Sequence, residues 1–194
     1  MSDAFLPGSA RPWSALGAAL LAGALSACGG GGGPGQQPPP GDPPALGGRV
    51  FMDVNGDKVY DAGDLLVQDV EVTVWDGLAF VAATLSNPDG LFVVDQSVVE
   101  LTPGTTYELR VLVEQASLLT AADQAFGMGF TPAVLDTPDA GADDTVDSDA
   151  VAGDRDGQIH GIITKAAPAA GQADATLGFG FQGVAPPPPP KPTR

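Results

Sequence analysis

The clearest chemistry in the chain lies in Asp53-Val-Asn55-Gly56-Asp57-Lys58-Val59-Tyr60-Asp61-Ala-Gly63-Asp64. Counting Asp53 as position 1, side-chain oxygens fall at positions 1, 3, 5, 9 and 12, on Asp53, Asn55, Asp57, Asp61 and Asp64. Val59 at position 7 adds a backbone carbonyl. A hard cation such as Ca²⁺ takes six to eight oxygens, and a tight turn with this spacing folds them inward around one point. In the helical version of such a loop position 6 is Gly and position 12 a bidentate Glu. Here those places hold Lys58 and Asp64. The flank from Pro43 to Met52 has no room for a helix; it offers one short strand, beginning at Val50 and leading into the acidic loop. The same residues also suit a solvated Asx/Gly turn between two strands, because Asp, Asn and Gly are ordinary turn formers.

The elements that must position this loop read as strands. Val70-Glu-Val72-Thr-Val74-Trp75 alternates apolar and polar residues, the period of a strand with one buried face. Asp76-Gly77 marks a tight turn into a second strand at 79–85, and Asn87-Pro88-Asp89-Gly90 marks another before Leu91–Val94. Pro103-Gly104 precedes a clean alternation, Tyr107-Glu-Leu109-Arg-Val111-Leu-Val113. Residues 158–164 and 173–181 read as the last two strands, with one helical turn or two expected over Leu118–Gln124. Residues 130–156 carry eight Asp and few apolar groups, which predicts a long functional or irregular loop. Strands of this length and spacing predict an all-β, antiparallel β-sandwich.

Phe51-x-Asp53-x-Asn55-Gly56-x-x-x-x-Asp61-x-Gly63-Asp64, followed by Val70-x-Val72-x-Val74, resembles the SdrD B-like domains of bacterial surface proteins, relatives of the Cna B-type domain. Asp89-Gly90-Leu91-Phe92, the Pro103-Gly104 strand and the closing Gly178-Phe179-Gly180-Phe181 extend the likeness over residues 46–183. The resemblance implies an immunoglobulin-like or prealbumin-like sandwich whose acidic loop binds calcium. Asp143-Asp144-Thr-Val-Asp147-Ser-Asp149 resembles a family element near the metal-binding end. It implies that Asp144, Asp147 and Asp149 form a second cation site or add ligands to the first, the alternative being a solvated acidic loop. Relatives that form internal Lys–Asn isopeptide bonds need a Lys in the first strand and an Asn in the last. Arg49 stands in the first, 173–181 has no Asn, and Lys165 lies outside both, so no such bond is expected.

Length and charge bound the rest. A chain of 194 residues holds one ordinary domain plus tails. Its net charge of −16 excludes nucleic acid, whose phosphates need clustered Lys and Arg, and favours cations. Residues 1–27 read as an export signal with Arg11 in a thin positive region and an apolar stretch over 13–27. Leu25-Ser26-Ala27-Cys28 resembles a lipobox, which implies lipidation of Cys28 and a membrane anchor; a plain secretory signal is the alternative. Gly29 after the cysteine implies outer-membrane or cell-surface placement in a double-membraned bacterium. Residues 28–45 form a flexible Gly/Pro tether, 46–183 the domain, and 184–194 a Pro-rich flexible tail.

No enzyme is expected. His160 is the only histidine and reads as a surface strand residue, and no phosphate-cradling glycine loop opens a helix. The expected role is a calcium-stabilised structural or adhesive module of an envelope lipoprotein. A glycan- or peptidoglycan-binding module is the alternative, with Trp75 and Tyr60 as its aromatic groups. An unidentified surface protein remains a further partner class.

Overall fold

Two five-stranded sheets pack face to face in the computed structural model, which describes residues 42–135 and 145–189. Cys28 and Asp144 lie outside these residues. Sheet 1 is built on β1 (Ala45–Met52) and β10 (Ala173–Val184). β7 (Thr131–Val134) flanks β10, while β5 (Leu91–Val94) and β2 (Leu65–Leu66) pair with successive stretches of β1. Sheet 2 runs β4 (Ala79–Leu85), β3 (Glu71–Asp76), β6 (Thr106–Leu112), β9 (Gln158–Ala166) and β8 (Val151–Arg155), wholly antiparallel. The expected sandwich is therefore present, with one departure: β1 and β10 pair in parallel.

The period-2 alternation decides what enters the core. Val72 and Val74 of β3, Leu109 and Val111 of β6, and Ile163 of β9 point inward from sheet 2. They meet Leu46, Val50 and Met52 of β1 and Leu177, Phe179 and Phe181 of β10. Phe92 of β5 packs on Phe179 with ring centroids 5.7 Å apart. Each such buried side chain contributes about 1.5–3 kcal/mol.

Three boundaries differ from the sequence reading. β1 begins at Ala45, before Val50, and takes in Gly47 and Gly48. A Cβ on Gly48 would collide with the carbonyl oxygen of Leu177, so the parallel pairing needs a glycine there. Residues 130–156, expected as one irregular loop, contain β7 and β8. Both are strands at the ends of their sheets with one partner each, so they lack the doubly buried pattern that marks a strand in sequence. The helix α1 spans Ala116–Phe126, three turns instead of one or two. Leu118, Ala121 and Ala122 form its buried stripe, and Gly127 at φ 102° ends it.

Candidate functional site

The acidic loop leaves the end of β1 at Asp53, whose N–H still donates to the Phe181 carbonyl at 2.7 Å. Asp53 is 1% exposed, and its two oxygens accept from Gly56 N–H (2.6 Å) and Lys58 N–H (2.9 Å). Gly56 and Lys58 both take left-handed backbone, φ 81° and 71°. Lys58 thus adopts the sharp turn for which position 6 normally recruits Gly. Asn55 accepts from Asp57 N–H at 2.8 Å, and its amide donates to Asp57 Oδ2 (2.9 Å) and Asp61 Oδ2 (3.2 Å). Asp57 and Asp61 cap Val59 and Gly63 N–H at 3.0 and 2.6 Å. Asp64 closes the ring by accepting from Val54 (2.9 Å) and Asp61 (3.0 Å). Burial raises the Asp64 carboxyl above its ordinary value despite these hydrogen bonds, and the charges of Asp53 and Asp61 push the same way.

All five predicted oxygen side chains are thus held in one ring of turns. Among the described residues, no three His, Cys, Asp or Glu side chains form a group set to hold a metal; the carboxylates are turned onto backbone N–H groups. The donor chemistry nevertheless fits a hard cation. The amide of Asn55 clasps the carboxylates of Asp57 and Asp61, the position in which a positive charge would be favoured.

The loop is seated on the outer surface of sheet 1. Tyr60 packs edge-on against Phe51 at 5.7 Å, and the Arg49 guanidinium lies 4.1 Å from its ring centre. Tyr60 is therefore a packing residue rather than a sugar platform. Val59 forms an antiparallel bridge with Asp147, and Tyr60 N–H donates to Val146 O at 2.5 Å. This brings Asp147, 2% exposed, beside the acidic loop. Asp149 is directed elsewhere: its Oδ2 accepts from Gly178 N–H at 2.6 Å, and its N–H donates to Gly178 O at 2.9 Å. Ser148 Oγ accepts from Gly180 N–H at 3.1 Å. The glycines of Gly178-Phe179-Gly180-Phe181 thereby have a physical reason. The phenylalanines fill the core, and the glycines admit the 147–149 segment and Leu135 against the back of β10.

A second feature lies on the outer face of sheet 2, and of it the sequence reading singled out only Trp75 and His160. Arg110, in the centre of β6, is 6% exposed although its side chain points away from the sandwich core. Its guanidinium stacks 4.3 Å from the Trp75 ring centre, bonds Glu108 from Nε (2.9 Å) and donates to Gly77 O (3.3 Å). Arg155 of β8 donates to both oxygens of Glu108 at 3.1 and 3.2 Å. Burial works against ionisation of Glu108, but the hydrogen bonds and charges of the two arginines outweigh it and hold the carboxyl below its ordinary value. Trp75, edge-on to Phe80 at 5.6 Å, is half-buried under Arg110 and is no open stacking platform. His160 lines the same groove, half-buried, with Nδ1 3.1 Å from Gln158 O. Lys165 Nζ lies 2.8 Å from Asp174 Oδ2 as an ion pair.

No family model matches the chain, and no curated protein matches it. Among solved structures, one from Pseudomonas aeruginosa, provisionally described as a carbohydrate-binding protein, is similar at 9% identity and TM-score 0.30. The match covers 74% of this chain and 90% of that one.

Proposed function

We propose that the chain is a calcium-stabilised structural module of an SdrD B-like kind, anchored through lipid on Cys28 and displayed at the outer membrane or cell surface. The observation that carries the calcium reading is the acidic ring closed by left-handed Lys58, in which Asn55 clasps Asp57 and Asp61. Asp53, Asn55, Asp57, Asp61, Asp64 and the Val59 carbonyl would hold the ion, with Asp147 within reach through the Val59 bridge. The ion would supply charge neutralisation, offsetting the charges of Asp53 and Asp61 that add to burial in raising Asp64. Its free energy of binding would then add to folding. A structural role follows because the loop is fastened to Phe51 and to the 145–149 segment, so the ion would tie three separate stretches together.

The test is a thermal melt of the full chain in EDTA and then in calcium, beside an Asp53→Ala, Asp57→Ala double variant. With a dissociation constant on the order of 10⁻⁴–10⁻³ M, about 10 mM Ca²⁺ stabilises by about 1.4–2.7 kcal/mol. At about 4 °C per kcal/mol, the midpoint rises by roughly 5–10 °C, and the double variant loses that rise. A wild-type midpoint indifferent to calcium overturns the reading.

A second reading, a glycan-binding surface module, is favoured by the polar groove that holds Trp75, Arg110 and Arg155. It is compatible with the first, since the acidic loop and the groove lie on opposite sheets.

A further inference from the structure

The outer face of a two-layer sandwich ordinarily carries loosely solvated side chains, yet the face of sheet 2 is pre-organised. Ile162 and Arg110 on this face are only 4% and 6% exposed, with Ile162 the cross-strand partner of Arg110. This arginine–glutamate–arginine set, buried at Arg110 but partly exposed at Glu108 and Arg155, is weak evidence for stability, since solvent screens its outer pair. What such a set does supply is guanidinium groups fixed in place. Arg110 Nη1 and Arg155 Nε have no hydrogen-bond partner among the described residues. The groove beside them has a volume of about 580 Å³, within the usual range for small-ligand sites. Its far wall is Gln115, clamped by two hydrogen bonds to the backbone of Glu71, at 2.7 and 2.8 Å.

We infer that this groove, between Trp75, Arg110, Arg155, Gln115 and Gln158, binds a neutral oligosaccharide; the inference rests on the glycan reading above and gives it a site. Three observations select that ligand class. The groove combines planar amide, guanidinium and carboxylate groups with the apolar edges of Trp75, Leu85 and Leu112, which matches the hydroxyls and C–H faces of a sugar chain. Its charges oppose an anionic ligand, because Asp69, Glu71 and Asp156 line it with the two arginines and the whole chain carries −16. Its centre crosses β3, β6 and β9, strands paired on both sides, and only its rim at Leu85 and Arg155 lies on the edge strands β4 and β8. An extended peptide lying across the centre therefore finds no free backbone edge to join. Recognition runs through fixed donors instead of open aromatic stacking, since Arg110 already covers the Trp75 ring.

The test uses the full chain carrying Trp13→Phe, which leaves Trp75 as its only tryptophan. Cellohexaose, chitohexaose, maltohexaose and mannohexaose are titrated, with polygalacturonate as the anionic arm. Calorimetry detects binding anywhere on the protein, and Trp75 fluorescence reports binding in the groove. An Arg155→Ala, Gln158→Ala variant is compared, because both residues are at least partly exposed and lie outside the core. The expected result is binding of a neutral hexamer with a change in Trp75 emission. Loss of charged hydrogen bonds in the variant weakens that binding roughly tenfold or more, while its melting midpoint falls only by the small amount expected for losing the partly exposed Arg155–Glu108 pair. Calorimetric binding that leaves Trp75 emission and the variant's affinity unchanged overturns the groove while sparing the glycan reading. Preference for polygalacturonate overturns the neutral class, and no binding to any member overturns the glycan reading and the inference together.

Discussion

Gly178→Ala tests whether the 147–149 segment is truly seated on the last strand, because the two alternatives differ in sign. In an ordinary strand, Gly to Ala stabilises by about 0.5–1 kcal/mol, chiefly by restricting the unfolded chain. Gly178 has no left-handed φ, so its backbone accepts alanine. The obstacle is tertiary: the new Cβ would stand 3.1 Å from the Asp147 carbonyl carbon, closer still to its oxygen, and 3.4 Å from Ser148 Cα. These are backbone atoms and cannot swing aside, so the segment must lift. Lifting it breaks Gly178 N–H to Asp149 Oδ2 (2.6 Å) and Asp149 N–H to Gly178 O (2.9 Å). The charged hydrogen bond contributes about 1.5–3 kcal/mol net and the neutral one about 0.5–1.5 kcal/mol. Less the gain in the unfolded chain, the variant loses about 1.5–3.5 kcal/mol, a fall of roughly 6–14 °C at about 4 °C per kcal/mol. Thermal unfolding in EDTA gives the midpoint without any contribution from metal. Amide exchange at Tyr60, whose N–H donates to Val146 O, should quicken as the acidic loop loses its neighbour. A raised midpoint with Tyr60 still protected would refute the seating of the loop, and with it the proximity of Asp147.

How much of this was legible beforehand depends on where each residue's environment comes from. Val72, Val74, Leu109 and Val111 declare a buried face by alternation alone, and all four are fully buried. The loop from Asp53 to Asp64 was legible for the same reason: the hydrogen bonds of its five oxygen-bearing side chains run between residues at most ten positions apart, so spacing carries the geometry. β1 was read too short because Gly47 and Gly48 carry no pattern; only the approach of Leu177, more than a hundred residues later, gives Gly48 its meaning. β8 was missed because Val151–Arg155 is exposed, contains Gly153, and is fixed by pairing with β9 alone. Arg110 was hidden most completely. The alternation of Tyr107–Val113 places it outward, which ordinarily means solvated. Its burial depends on Trp75, Gly77 and Glu108 arriving together.

Two further outcomes follow from backbone strain and from ion pairing. Lys58 at φ 71° costs about 1–2 kcal/mol as a non-glycine residue, and glycine's extra unfolded-state entropy offsets about 0.5–1 kcal/mol of any relief. Lys58→Gly therefore raises the melting midpoint in EDTA by roughly 2–4 °C, and a fall would show that the lysine side chain contributes more than its backbone costs. The acid limb of stability should report Glu108. Its folded carboxyl lies below the ordinary 4.5, so its contribution is complete above that value and is lost as pH falls through the lower folded value. Glu108→Gln removes this contribution, so the midpoint of the variant falls less steeply with pH below about 4.5 than that of the wild type. Raising salt separates the two causes of the shift. Arg155, at 37% side-chain exposure, is screened, whereas Arg110, at 7%, is not, so the wild-type slope should shrink without vanishing. A slope unchanged by Glu108→Gln would mean that the arginines do not hold this carboxylate ionised, and the fixed guanidinium pair of the groove would lose its anchor.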